Sequence, residues 1–301
     1  MKSLNAWYCD AWRPTHECGL PLDDLGLMQG AVIVDRLRTV RGTALDADAH
    51  VERFLTNCHC IGIANMPDAD QLRSTLEQCL VQNRFFFEVQ DGSIVLLATP
   101  GSLHSRLPTW IVQPTAIPWK RMQNHYASGQ KLTIAQGTAA IPSACWSPAI
   151  KTRARLNYFL ADHEAEQRFP NSYANGIVCD QAGCLTETST ANLLIVEQGG
   201  LVSPPKSDIL PGVSLARTLR LASNQGINVR FEPIDTERAL QAEAVLLCGS
   251  LGCLWPTAQI DNRRFEQPTV HAIYRELSHA WMQDIEFDFV AQANHNGQLS
   301  G

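Results

Sequence analysis

The residues best suited to chemistry gather around one lysine. In Ala149-Ile150-Lys151-Thr152-Arg153-Ala154-Arg155-Leu156-Asn157-Tyr158, an apolar approach (Trp146, Pro148, Ile150) ends at Lys151. Helical spacing begins just after it, with Leu156, Phe159, Leu160 and His163 on one predicted face. The pattern predicts a buried strand that hands over to a helix at the lysine. An ammonium held away from water is costly or loses its proton. The neutral amine that results is a nucleophile towards carbonyl carbon. By itself the window favours a solvated surface lysine, so the reading depends on what else the chain supplies.

Four further features bear on it. Cys184-Leu185-Thr186-Glu187-Thr188-Ser189-Thr190-Ala191-Asn192 is a small polar run around one carboxylate, Glu187. Leu210-Pro211-Gly212-Val213-Ser214 is a turn that opens onto a predicted helix, where free backbone N–H groups and the helix dipole favour an anion. Cys248-Gly249-Ser250-Leu251-Gly252 follows a buried strand and offers N–H groups and a hydroxyl. It is not a P-loop, because no Lys-Ser/Thr pair follows the glycine. In the N-terminal half, His50, Arg53 and Asn57 share one face of a predicted helix. A lysine for an aldehyde, a carboxylate for a pyridinium nitrogen and two turns for a phosphate make the inventory for pyridoxal 5′-phosphate.

The elements that must position these residues follow from periodicity. Ala31 to Val40 reads as a long strand and Asp46 to Gly62 as a helix with Val51, Phe54, Leu55 and Cys58 inward. Asp68-Ala69-Asp70-Gln71 has capping-box spacing ahead of a helix that buries Leu72, Leu76, Cys79 and Leu80. Asp91-Gly92, between Arg84–Val89 and Ile94–Leu97, predicts a hairpin. Residues 116–130 show no clear period and read as a connection. Beyond it are predicted a helix over 154–168, strands at 176–180, 192–196, 228–232 and 244–247, and a helix from Ser214 to Asn224 closed by Gly226. A last helix carries Val270, Ile273, Leu277 and Trp281, and the tail from Ala291 to Gly301 is expected to fray. The reading is α+β with two domains: 1–117, a connection at 118–130, a cofactor-binding domain at 131–290 and a flexible tail at 291–301.

Bulk properties agree with a globular protein and narrow its class. A hydrophobic content of 45% with 18% charged residues supports a real core. A net charge of −6 argues against generic nucleic-acid binding. No run of eighteen apolar residues occurs and Met1–Trp7 lacks an apolar signal core, so no membrane span and a cytoplasmic location are expected. The ten cysteines form no C-x-x-C pair and several lie in apolar runs, as reduced, packed thiols do, and no metal site is expected.

Five blocks, in order from about Leu25 to Phe265, resemble the class IV pyridoxal-phosphate aminotransferases, the group of branched-chain aminotransferase, D-amino-acid aminotransferase and aminodeoxychorismate lyase. They are Gly26–Gly30 leading to His50-Val51-Glu52-Arg53; Lys151 followed by Glu164-Ala165; Leu185-Thr186-Glu187 to Asn192 with Pro204-Pro205; Leu210–Ser214; and Gly249-Ser250-Leu251 with Pro256 and Ile260-Asp261. The resemblance implies a D-amino-acid-aminotransferase-like fold, with a smaller N-terminal domain and a larger C-terminal domain built on a β-barrel-like core. It implies that Lys151 is the Schiff-base lysine and proton carrier and Glu187 the partner of the pyridine nitrogen. Arg53, Val213, Ser214, Ser250 and Leu251 would hold the phosphate. It implies a homodimer that exchanges an amino group between an amino acid, branched-chain among the options, and a 2-oxo acid. Elimination of pyruvate by the same cofactor is the alternative.

Two departures bear on the substrate. The acidic first strand of relatives is replaced by Gly30-Ala31-Val32, with Asp35 further on. Branched-chain enzymes carry a tyrosine five residues after the lysine; here Leu156 stands there, and Tyr158 is the nearest candidate for the cofactor. Arg153 and Arg155 could hold an anionic substrate or depress the lysine pKa, but the favoured reading is solvated helix-start charges.

Overall fold

The computed structural model describes residues 3–104 and 107–299. The chain divides into two compact units: Met1–Ile117 with Ile150–Ala154, and Pro118–Ala149 with Arg155–Gly301. Lys151 therefore clusters with the first unit, although it follows the predicted connection in sequence.

The first unit contains β1 (Asn5–Tyr8), β2 (Ala11–Pro14), α1 (Leu25–Gln29), β3 (Ile33–Val40), β4 (Thr43–Ala44), α2 (Ala47–Cys60), α3 (Ala69–Gln82), α4 (Arg84–Phe87), β5 (Gly92–Thr99) and β6 (Thr109–Ala116). Its strands form an antiparallel sheet in the order β2-β1-β6-β5-β3-β4. Alternation sends Ile33, Leu37, Ile94, Leu96, Ala98 and Val112 to one face. There they meet Val51, Phe54 and Cys58 of α2 and Leu72, Leu76 and Cys79 of α3. The predicted capping box is present: the Gln71 N–H donates to Asp68 Oδ1 at 2.8 Å and the Asp68 N–H to Gln71 Oε1 at 3.2 Å.

The predicted hairpin at Asp91-Gly92 does not form, because residues 84–87 are helical. The buried Asp91 carboxylate instead takes the Thr39 hydroxyl at 2.9 Å and the N–H groups of Arg41 and Gly42 at 3.1 Å, tying down the β3–β4 turn. Gly92 is required by packing, since a Cβ there would stand 2.6 Å from the Phe86 ring.

The second unit contains α5 (Trp119–Ser128), β7 (Gln130–Ile134), α6 (Leu156–Arg168), β8 (Asn175–Cys179), β9 (Leu185–Thr188), β10 (Asn192–Glu197), β11 (Gly200–Ser203), α7 (Val213–Asn224), β12 (Val229–Phe231), α8 (Thr236–Gln241), β13 (Ala244–Gly249), β14 (Cys253–Ile260), β15 (Arg263–Arg264), α9 (Ala272–Asp284) and α10 (Phe289–Leu299). Among the described residues its sheet runs β12-β11-β10-β13-β14-β7-β8-β9, with β15 on β14. A further pairing of β9 with β10 closes β10-β13-β14-β7-β8-β9 into a ring. This is the expected barrel-like core.

Three local expectations are corrected in this unit. The predicted connection contains α5, which buries Trp119, Met122, His125 and Tyr126. Its stripe is easily missed because one member is a histidine. The tail expected to fray is helical as α10 up to Leu299, with residues 300–301 outside the described residues. It buries Phe289, Ala293 and Gly297 at four-residue spacing. At Gly297 a Cβ would meet Gln123 of α5 at 2.6 Å, so the glycine lets the two helices touch. Third, α6 buries Asn157, Ala161 and Ala165. The predicted apolar face is turned outward, with Leu156, Phe159 and Leu160 at 70%, 67% and 42% exposure. Small residues win the inner face because α6 lies against β8, where a Cβ on Gly176 would meet the Ala161 carbonyl oxygen at 2.4 Å. No helix among the described residues is long and apolar enough to cross a membrane.

Candidate active site

In the second unit the site is built where the barrel closes. The one β9–β10 register pair is Glu187 with Asn192, and Asn192 also pairs with Cys248 at the end of β13. Glu187 Oε1 accepts the Tyr158 hydroxyl at 2.8 Å. Glu187 Oε2 accepts Asn192 Nδ2 at 3.0 Å and the Leu210 N–H at 3.3 Å. Asn192 Nδ2 also donates to the Leu210 carbonyl at 2.9 Å. Both oxygens are thus directed by donors from three segments, while the residue stays half-buried.

Tyr158 is the donor in its pair for a physical reason. Burial first, then the Glu187 charge and hydrogen bond, push its phenol well above the ordinary value, and Arg155 opposes them only in part. Arg155 lies over the Tyr158 ring at 4.8 Å and donates to the Ser189 carbonyl. It therefore braces Tyr158 and the β9–β10 turn rather than standing as a solvated helix-start charge.

The two glycine turns adjoin this closure. Gly212 precedes α7 with φ −65° and ψ 134°, a conformation open to any residue. A Cβ there would stand 2.0 Å from Asn192 Oδ1. At Gly249 it would stand 2.5 Å from the Thr190 carbonyl oxygen. Gly212 lets its turn press against Asn192, which holds Glu187, and Gly249 lets its turn press against the β9–β10 turn. Val213 and Ser214 then open α7, whose first-turn N–H groups have no carbonyl partner within the helix. Ser250 and Leu251 are half-buried in the β13–β14 turn, which Tyr126 fastens by donating to the Gly252 carbonyl at 2.6 Å. Glu187, Val213, Ser214, Ser250 and Leu251 are therefore gathered at one end of the barrel. Asn192, not singled out from the sequence as a site residue, is the side chain that joins them. Its signal was an amide at the start of an otherwise apolar strand.

In the first unit Lys151 lies on the edge of β3. The Val34 N–H donates to its carbonyl at 3.0 Å and the Arg153 N–H to the Val32 carbonyl at 2.9 Å, around a bridge between Ile33 and Thr152. The Lys151 N–H donates to Asn57 Oδ1 at 2.5 Å. Arg53 sits one turn before Asn57 and is clamped: its Nε and Nη2 donate to the two Asp35 oxygens at 2.8 Å. His50 Nδ1 lies 2.7 Å from Asp35 Oδ1. Asp35 is fully buried. Burial alone would raise its carboxyl, but the Arg53 charge and the His50 and Arg53 hydrogen bonds outweigh it and hold it well below the ordinary range.

The donor set fits pyridoxal phosphate. Within the second unit, Glu187 is a directed carboxylate that suits a ring nitrogen, and the two turns beside it can supply N–H groups to a phosphate.

A family model for "Amino-transferase class IV" matches residues 33–260. Branched-chain-amino-acid aminotransferase-like protein 1 of Arabidopsis thaliana is 22% identical over 284 residues, 92% of this chain and 50% of its own length. The chain spans about half the length of this relative and of the second such Arabidopsis protein. The chloroplastic D-amino-acid transaminase of Arabidopsis thaliana is 28% identical, over 88% of this chain and 71% of its own. A solved branched-chain amino acid aminotransferase of T.th., with pyridoxamine 5′-phosphate, shares the fold. It superposes with a TM-score of 0.81 at 19% identity, covering 94% of each chain.

Proposed function

Because the chain belongs to the class IV aminotransferase family, we propose that it moves an amino group between an amino acid and a 2-oxo acid with pyridoxal 5′-phosphate, through Lys151. The observation that carries this is the Glu187 carboxylate, held by Tyr158, Asn192 and the Leu210 N–H beside two anion-suited turns.

When bound, the cofactor supplies the electron sink that lets an amino acid lose its α-proton. Glu187 would hold the ring nitrogen and favour its protonated form, with Tyr158 and Asn192 keeping the carboxylate aimed. Arg53, the start of α7 at Val213-Ser214 and the turn at Ser250-Leu251 would be the groups that hold the phosphate. Lys151 would be the amine that holds the cofactor through its aldehyde. Its neutral amine would take the substrate α-proton as base and return it as acid. The backbone bonds of Lys151 to Val34 and Asn57 fix the root of that swinging side chain.

The donor is not confined to branched-chain amino acids in this reading. Leu156, where branched-chain enzymes carry a tyrosine, is 70% exposed, and a D-amino-acid transaminase is among the relatives. Elimination of pyruvate is separated from transfer by the acceptor, since only transfer needs a 2-oxo acid.

The test is borohydride fixation of the purified, cofactor-loaded protein followed by peptide mapping. The expected result is a cofactor-mass adduct on Lys151 that is lost in Lys151→Ala. Protein that takes up no pyridoxal phosphate, or an adduct elsewhere, overturns the reading.

A further inference from the structure

The β13–β14 turn of the second unit stands on a tryptophan. Trp255, on β14, is buried, and its six-membered ring lies directly under the turn. A Cβ on Gly252 would meet that ring at 2.7 Å and one on Gly249 at 3.4 Å. Ser250 and Leu251 are the two residues between those glycines, and the Gly252 N–H closes the turn on the Gly249 carbonyl at 3.2 Å. His125 of α5 lies parallel to the indole, with ring centroids 5.9 Å apart. Burial, followed by the Arg121 charge, pushes the His125 imidazole down to about 3, so this neighbour is a neutral ring near pH 7. A stacked neighbour limits the tilt of the indole but not its rotation in its own plane.

That rotation is set by Gln130, the first residue of β7. The Trp255 Nε1–H donates to Gln130 Oε1 at 2.7 Å. Gln130 Nε2 donates to Asn175 Oδ1 at 2.6 Å and to the Tyr173 carbonyl at 3.2 Å. Register explains the meeting. Gln130 pairs with Thr257, two residues on from Trp255, and Asn175 pairs with Leu132, two on from Gln130. The three side chains therefore share one face of β14, β7 and β8. Asn175 is held in turn, its Nδ2 donating to Asp162 Oδ1 at 2.8 Å and to Ser189 Oγ at 3.1 Å. Gln130 and Asn175 are both buried. An amide bonded at both ends in such a place cannot turn without leaving a buried polar group unpaired.

We propose that Gln130 and Trp255 act together as positioning residues for the cofactor phosphate: the amide fixes the indole, and the indole holds the Ser250–Leu251 turn in the shape that presents its N–H groups and hydroxyl to the phosphate. This rests on the reading of that turn as a phosphate site. Both residues act through the turn, so what they control is the part of cofactor affinity that depends on the phosphate. Trp255→Phe removes the N–H and the ring edge under the turn while leaving the Gln130–Asn175 pair in place. Gln130→Met removes the anchor and leaves the indole.

The experiment titrates the full-length chain, freed of cofactor, with pyridoxal 5′-phosphate and with pyridoxal, which lacks the phosphate, and follows the absorbance of the bound aldehyde. The unaltered protein is expected to prefer the phosphate ester by at least about a hundredfold in Kd, the size of two hydrogen bonds to a charged group. Trp255→Phe and Gln130→Met should each cut that preference about tenfold, the size of one such bond, with the Kd for pyridoxal little changed. The double variant should lose less than the product of the two, because both changes break one link. Equal weakening of both ligands marks a merely structural role and overturns the inference, as does an unchanged preference in Trp255→Phe. Should Gln130→Met fail to fold, Trp255→Phe applies the same test to the same link. If the unaltered protein takes pyridoxal as tightly as the phosphate ester, the phosphate reading of the turn fails first and the inference falls with it.

Discussion

Replacing Gly212 by alanine isolates the role of the turn that opens α7. The backbone there has φ −65° and ψ 134°, so an alanine carries no conformational strain. The added Cβ would stand 2.0 Å from Asn192 Oδ1, more than 1 Å inside ordinary contact, so the amide must move. That amide donates to Glu187 Oε2 at 3.0 Å and to the Leu210 carbonyl at 2.9 Å. A bond to a charged group contributes about 1.5–3 kcal/mol and a neutral one about 0.5–1.5 kcal/mol. Disturbing both predicts a loss of about 3 kcal/mol. Gly212→Ala should therefore unfold earlier in urea and bind pyridoxal phosphate more weakly. The decisive comparison is a double-mutant cycle with Asn192→Ala, which removes the atom the methyl strikes. In that background Gly212→Ala should cost under about 1 kcal/mol, because little is left for the methyl to displace. Equal costs in both backgrounds would refute the argument and return the glycine to a purely local role at the helix start.

Two further perturbations test the first unit and the outer face of α6. The Asp35 carboxyl is held below its ordinary value in the folded state. Its stabilising contribution is therefore complete above the unfolded value, about pH 4, and is lost as pH falls through the folded one. Urea midpoints should drop below pH 4 in the unaltered protein, whereas Asp35→Asn should lack that component and cost about 3–5 kcal/mol near neutrality, since the Arg53 charge then stays buried beside a neutral amide. Parallel pH curves for the two proteins would show that Asp35 is not the group responsible. On α6, Leu156 and Phe159 are largely exposed, as an interface between two copies would require. Phe159→Glu is expected to halve the mass in analytical ultracentrifugation without lowering the melting temperature, and an unchanged mass would place any dimer contact elsewhere.

Much of this architecture could be read from periodicity, and the misreadings have physical causes. The two long helices of the first unit announced themselves by apolar spacing and by a capping box that forms as read. Residues 84–89 did not, because three consecutive phenylalanines satisfy a strand and a short helix equally well, and here tertiary packing against Gly92 selects the helix. On α6 the apolar stripe was correctly seen and wrongly placed. Hydrophobicity marks a face that is to be covered, but it does not say whether the cover is the same chain. The inner face was signalled by small residues, Ala161 and Ala165, which only the close approach of Gly176 makes necessary. Glu187 and the two glycine turns were visible as separate motifs. Asn192 was invisible as their junction, because what it does depends on a barrel closure that no local pattern encodes.

The spacing around Lys151 acquires a reason in the same way. From the sequence His50, Arg53 and Asn57 are three polar residues on one helix face. In the structure they complete a closed circuit. The Lys151 N–H reaches Asn57, the Asn57 amide donates back to the Arg53 carbonyl at 2.8 Å, and the Arg53 side chain grips Asp35 of β3. Asp35 adjoins Val34, whose N–H returns to the Lys151 carbonyl. Arg53 and Lys151, roughly a hundred residues apart in the chain, are thereby fixed relative to one another through two links that both start at β3. Such a circuit explains why a carboxylate is buried at Asp35 at all: a charge in the core is tolerated when it is fully bonded, and this one sets the direction of the arginine proposed to hold the phosphate. It also separates β3 by face, with Asp35 positioning Arg53 on the helix side and Val34 bonded to Lys151 from the neighbouring position. A shift of one residue in this strand would exchange its two faces, so the register of β3 against β5 fixes the anchoring of Arg53.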